Sequence, residues 1–141
     1  MSRSGRCHCG TIRYELDGDS APLVSCHCHD CRRAHGAAFV TSMPVSTRKL
    51  RVVAGASSVR QHRQRYFCAE CGTRLWNRLD DRPGATMLMV ATLEEEPTGE
   101  PIMHVNLESQ APWYTIRDEA PAFESFPPNV DDALDRLEER D

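Results

Sequence analysis

The sequence predicts one mostly antiparallel β domain with a short C-terminal helix, organised around bound metal. Three observations lead there. Short runs of alternating or continuous apolar residues recur between turn residues. All seven cysteines sit in three tight clusters. Apart from one or two turns after the second cluster, helical patterning is confined to the extreme C-terminus. With 141 residues the chain suits one domain, able to bury about two-thirds of its unfolded surface.

Thr11-Ile12-Arg13-Tyr14-Glu15-Leu16 alternates polar and apolar residues and runs into Asp17-Gly18, the mark of a half-buried strand and a turn. Leu23-Val24 leads into the second cysteine cluster, and Asp30 to Gly36 reads as a short helix stopped by glycine. Phe39–Met43, Leu50–Val53, Val59–Arg63 and Arg74–Asn77 are further short strands. Met87-Leu88-Met89-Val90-Ala91 is continuously apolar and suits a strand buried on both faces. His104-Val105-Asn106 reads as an edge strand, and Pro112, Pro121, Pro127 and Pro128 interrupt the chain beyond it. Asn129 caps a final helix whose Val130, Leu134 and Leu137 form a narrow apolar stripe, with Asp131 and Asp132 near its positive end. Twelve or so residues are marginal as an isolated helix, so this one packs on the domain or a partner, or frays. Residues 1–128 therefore read as the domain and 129–141 as an acidic helix or tail.

The clusters are Cys7-x-Cys9, Cys26-x-Cys28-x-x-Cys31 and Cys68-x-x-Cys71. In an extended segment residues i and i+2 share a face, so a Cys-x-Cys pair can offer both thiolates to one metal. A Cys-x-x-Cys pair does so across a tight turn, here closed by Gly72, whose missing Cβ tolerates unusual backbone angles. A closed structural zinc site takes four ligands, whereas a catalytic one commonly keeps three and an open position. Cys7, Cys9, Cys68 and Cys71 would supply the closed site, and Cys26, Cys28 and Cys31 the open one. The competing reading is disulfides or buried thiols. An odd number of cysteines, and a start, Met1-Ser2-Arg3-Ser4-Gly5-Arg6, without the apolar stretch of a secretory signal, favour a reducing, cytoplasmic setting.

The formal net charge is −4, and seven metal-bound thiolates with two zinc ions would take it to roughly −7. Nucleic acid is not the expected partner. No apolar run approaches the roughly 20 residues of a membrane span, so a soluble protein is expected. Its oligomeric state is open, a homo-oligomer included. Basic residues bunch at Arg60, Arg63 and Arg65, read as solvated surface or an anion site, and at Arg32-Arg33.

The motifs Gly5-Arg6-Cys7-His8-Cys9-Gly10, Cys26-His27-Cys28-His29-Asp30-Cys31-Arg32-Arg33 with Gly36 and Phe39, and Phe67-Cys68-Ala69-Glu70-Cys71-Gly72-Thr73 stand in a specific order. With His104 and Pro112-Trp113 late in the chain, they resemble the glutathione-dependent formaldehyde-activating enzyme family, which also includes centromere protein V. The resemblance covers about residues 5 to 126 and implies a β-tent fold with two zinc sites. It implies Cys7, Cys9, Cys68 and Cys71 as structural ligands and Cys26, Cys28 and Cys31 as catalytic ones. The implied activity is carbon–sulfur lyase chemistry, joining glutathione and formaldehyde as S-hydroxymethylglutathione. Asn106 departs from the pattern, standing where the closing motif often carries a bulky aromatic.

A three-thiolate zinc with an open position suits a thiol whose sulfur would bind as thiolate and attack an aldehyde carbon. Three cysteinates make that zinc a weak Lewis acid, and cationic neighbours could compensate. Arg32 and Arg33, directly after Cys31, are the candidates to fork onto a carboxylate of a glutathione-like substrate. By strand periodicity His27 and His29 should point away from the metal. His35 is the better proton carrier, Trp76 and Trp113 read as core, and His62 and His104 carry no signal. The alternative function is a non-catalytic zinc-binding thiol carrier or protein-docking module, which turnover would distinguish.

Overall fold

In chain order the strands are β1 (Ser2–Arg6), β2 (Arg13–Asp17) and β3 (Val24–Cys26), then helix α1 (His29–His35), β4 (Val40–Ser46), β5 (Leu50–Ala54), β6 (Val59–His62), β7 (Arg65–Cys68), β8 (Arg74–Leu79), β9 (Arg82–Met89) and β10 (Met103–Val105). These come from a computed structural model that describes residues 2–18, 22–98 and 101–127. The expected C-terminal helix at 129–141 lies outside the described residues. Among those that are described, no helix is long and apolar enough to cross a membrane.

The strands form two sheets, one of three strands in the order β1-β2-β5 and one of seven in the order β10-β3-β4-β9-β8-β7-β6. Pairing is antiparallel as expected, except that β10 runs parallel to β3, with Val105 opposite Cys26. After β9 the chain returns beside β3 and in the same direction. Strand β10 is thus an edge of the large sheet, but a covered one. Residues 121–123 lie along it through Phe123 N–H to His104 O (2.9 Å) and His104 N–H to Pro121 O (2.8 Å), so its backbone groups are satisfied.

Alternation in β2 works as the sequence suggests: Ile12, Tyr14 and Leu16 are buried and face the large sheet's Met43, Val45, Leu75, Trp76 and Leu88. Tyr14 meets Trp76 edge to face at 5.9 Å between ring centroids, a geometry favoured by the ring quadrupoles. Of the apolar run Met87–Ala91, the residues up to Met89 close β9 and are buried, whereas Val90 and Ala91 belong to a 3-10 turn, Val90 buried and Ala91 exposed. Leu88 enters this main core, while Ala85 and Met87 pack with Val24, Met103 and Val105. Trp76 is core as expected. Trp113 is not: it is 67% exposed, because the Pro-rich stretch around it forms no strand that could turn it inward.

Strand β1, which has no apolar pattern, is admitted by Gly5. A Cβ there would collide with the Tyr14 ring. Gly5→Ala is expected to cost about 1–3 kcal/mol, the usual range for overpacking, read as a lower thermal midpoint. An unchanged midpoint would mean that Tyr14 can move aside.

Candidate metal centres

Four of the cysteines converge where β1 and β7 end. Cys7 follows β1 and opens a tight turn, closed by Gly10 N–H to Cys7 O at 3.1 Å, that also carries Cys9. The pair therefore comes together on a turn rather than on the extended segment expected. Cys68 ends β7, and Cys71 follows in a knuckle with Gly72 N–H to Cys68 O at 2.8 Å and Gly72 at φ 77. That left-handed angle is the one a Cβ would resist, as expected for Gly72. The ligand atoms of Cys7, Cys9, Cys68 and Cys71 all lie within 4.8 Å of one another.

The sulfur separations discriminate between the chemistries open to them. Cys7 and Cys9 Sγ are 3.6 Å apart and Cys9 and Cys68 Sγ 4.0 Å. A disulfide needs about 2.05 Å. Tetrahedral zinc with Zn–S near 2.3 Å sets sulfurs roughly 3.8 Å apart, so the donor set fits a thiophilic metal. Backbone N–H groups of Ile12 and Glu70 point at Cys7 and Cys68 Sγ at 3.3 and 3.4 Å, as suits sulfurs that carry negative charge. The Thr73 hydroxyl holds the Cys71 thiol down to about 5, while burial pushes Cys68 up to about 11. Four ionised thiols at this spacing need a cation to offset their repulsion.

The second cluster is assembled around α1. Cys26 ends β3, Cys28 is the helix N-cap and Cys31 sits buried in the first turn. Among the described residues no fourth histidine, cysteine or carboxylate joins the three. Each sulfur instead meets one N–H donor from a different part of the fold. The Cys31 backbone donates to Cys28 Sγ (3.2 Å), Asn106 Nδ2 to Cys26 Sγ (3.2 Å) and Arg65 Nη2 to Cys31 Sγ (3.4 Å). Hydrogen bonds from Cys26 and Cys31 pull the Cys28 thiol far down, and the same sulfur contacts push Cys31 up.

Arg65 and Asn106 were not legible as site residues. Arg65 is one of a surface-like run of arginines, and Asn106 reaches the cluster only because it leaves β10 at φ 60, a left-handed angle that asparagine tolerates. Of the arginines the sequence offers, Arg32 Nη1 donates to Ser109 O (2.8 Å) and Arg33 Nη2 contacts His29 Nε2 (3.1 Å).

His27 is fully buried and does not join the three-cysteine group. Its Nε2 meets His104 Nδ1 at 2.8 Å, and His104 Nε2 meets the Asp118 carboxylate at 2.9 Å. Since a carboxylate accepts, His104 Nε2–H donates to Asp118, and with a neutral His104 ring Nδ1 is left to accept from His27 Nε2–H. Phe39 packs on the His27 ring at 4.9 Å. Burial holds His27 down near 4, so it stays neutral. His104→Phe would leave the His27 N–H without an acceptor and is expected to cost about 1–3 kcal/mol, checked by chemical denaturation. No loss would mean that the chain of hydrogen bonds contributes nothing to folding.

A cleft of about 840 Å³ runs beside both clusters. Cys7 and Thr73 line it near the four-cysteine group. Val40 and Met89, which pack on Cys31, line it near the three-cysteine group. His35 also lines it, with burial and then Arg74 and Arg65 holding its imidazole down near 4.

Comparison with known proteins agrees with this architecture. The family model for "Glutathione-dependent formaldehyde-activating enzyme" matches residues 2–109. A Halomonas elongata protein, whose name provisionally assigns it that activity, is 26% identical over 142 residues, covering 90% of each chain. A Penicillium rubens protein with the same provisional name is 30% identical over 110 residues, covering 68% of this chain and 56% of its own. Among solved structures, a Rhodobacter sphaeroides protein aligns with a TM-score of 0.57 and 26% identity over 67% of this chain and 90% of that one. With two cysteine groups on a mainly β scaffold and a family match over most of its length, the chain belongs to the glutathione-dependent formaldehyde-activating enzyme family.

Proposed function

We propose that this protein is a zinc-dependent carbon–sulfur lyase that joins a glutathione-like thiol to a small aldehyde, of the S-hydroxymethylglutathione synthase type. The observation that carries this reading is the unequal donor count: four thiols in one group, three in the other and, among the described residues, no fourth protein ligand beside them. Cys7, Cys9, Cys68 and Cys71 would hold a structural zinc, and Cys26, Cys28 and Cys31 a catalytic one. At the second site zinc supplies a Lewis acid that lowers the pKa of a bound thiol.

The chain's own residues prepare that site. Arg65, Asn106 and the Cys31 amide draw charge from the three sulfurs through their hydrogen bonds, which offsets the electron richness of a tris-thiolate donor set. Arg32 ties α1 to Ser109 and so fixes the helix that carries Cys31. In the addition a sulfur–carbon bond forms, the carbonyl π electrons move to oxygen, and that oxygen takes up a proton equivalent to the one the thiol gives up.

The test is metal content together with turnover. About two zinc ions per chain are expected, and NMR of glutathione with ¹³C-formaldehyde should show S-hydroxymethylglutathione exchanging faster than in buffer. Two metals without any acceleration would favour a thiol carrier or docking module.

A further inference from the structure

The cleft beside the two clusters contains polar and charged groups that no described residue satisfies. The Arg74 guanidinium lies over the Phe67 ring, 5.1 Å from its centroid. A cation–π contact of this kind uses none of the guanidinium's N–H donors in a conventional hydrogen bond. Among the described residues no carboxylate pairs with it. His35 adds a buried Nε2 that has no hydrogen-bond partner. Buried polar atoms are almost always satisfied, so this orphan, on a residue that lines the cleft, marks a place for something else. His35 is one helical turn beyond Cys31 on α1, which sets this donor pair next to the three-cysteine group.

The cleft also carries acid. Glu94 is already bound to Arg6 at 2.7 Å, whereas Glu96 has no ion pair among the described residues. Arg74 and Glu96 therefore line one cleft, with opposite charges, and do not pair with each other. The volume suits a ligand of small-peptide size, since such sites run from about 300 to 1,000 Å³.

We propose that this cleft seats a zwitterionic peptide-like thiol, with Arg74 and His35 receiving a carboxylate and Glu96 an ammonium group. The assignment deepens the reading above, on which it rests for the thiol. It gives the charged ends of the substrate a place apart from Arg32 and Arg33, whose guanidinium groups are engaged with Ser109 and His29. It also explains how a site with one open metal position could choose among thiols: the sulfur is common to all of them, and the charged ends are not.

The test separates the charged ends from the sulfur by using S-methylglutathione, which has both ends and no thiol, in calorimetric titration of the zinc-loaded protein. Binding is expected, weakened at least tenfold by Arg74→Met and by Glu96→Gln. On the wild-type protein, the diester of S-methylglutathione should lose at least tenfold too, which guards against misfolding of a variant. A separate titration of cobalt-substituted protein with uncharged 2-mercaptoethanol reads sulfur binding alone and should be unchanged by Arg74→Met. If S-methylglutathione does not bind, or binds equally to the variants, or if the diester binds as well as the acid, the cleft assignment is overturned. If S-methylglutathione binds in an Arg74-dependent way while no thiol alters the cobalt spectrum, the cleft stands and the sulfur-activation reading fails.

Discussion

Cys68→Ser is expected to leave no stably folded protein. Cys68 is 0% exposed, ends β7 and joins segments that lie 59 residues apart through its contact with Cys9. Structural zinc contributes roughly 10–16 kcal/mol of apparent binding free energy, as much as or more than the about 5–15 kcal/mol by which a domain is stable. Most of that is lost with one ligand, and no other described contact ties the Cys7–Gly10 turn to the knuckle at Cys68–Gly72 as firmly. His8 N–H to Thr73 Oγ1, at 3.0 Å, is a single neutral hydrogen bond, worth about 1 kcal/mol. Circular dichroism and the yield of soluble protein check this. A native spectrum with both metals retained would remove the structural role.

Cys28→Ser should behave in the opposite way: folded, one metal lighter and more than about 100-fold less active, beyond the 10–100-fold typical of outer-sphere changes. The reason for the intact fold is local. Cys28 is the N-cap of α1, and its Sγ accepts the Cys31 N–H at 3.2 Å. Serine is among the best N-cap residues and makes the same bond, so the helix start survives while the sulfur is gone. Metal analysis, the thermal midpoint and turnover should be measured on one preparation. Equal thermal destabilisation by Cys28→Ser and Cys68→Ser would contradict the division of roles.

The features that could be read in the sequence were short in range. The cysteine groups were legible because ligands within one cluster are spaced by one or two residues, and β2 because alternation exposes its buried face. The knuckle at Gly72 and the helix stop at Gly36 were legible for the same reason. The partners of the three thiols were not. Arg65 is 34 residues from Cys31, Asn106 is 80 from Cys26, and His104 is 77 from His27; nothing local marks such pairs. Strand β1 (Ser2–Arg6) was missed because its sequence, Ser-Arg-Ser-Gly-Arg, has no apolar alternation. Its place depends on a glycine lying against Tyr14. The parallel pairing of β10 with β3 depends on a crossover from β9 and not on either strand's own residues. Trp113 was read as core on residue type alone, which the chain around it does not support.

Sulfur activation at the three-cysteine site is tested most directly by replacing the metal with Co²⁺ and titrating glutathione. A fourth sulfur should strengthen the thiolate-to-cobalt charge-transfer band, because three thiolates leave a position that thiolate suits. S-methylglutathione, which cannot ionise at sulfur, should leave the band as it was even while seated in the cleft. An equal change with both ligands, or a Cys31→Ser protein that still turns over, would show that the thiol is not activated at this metal.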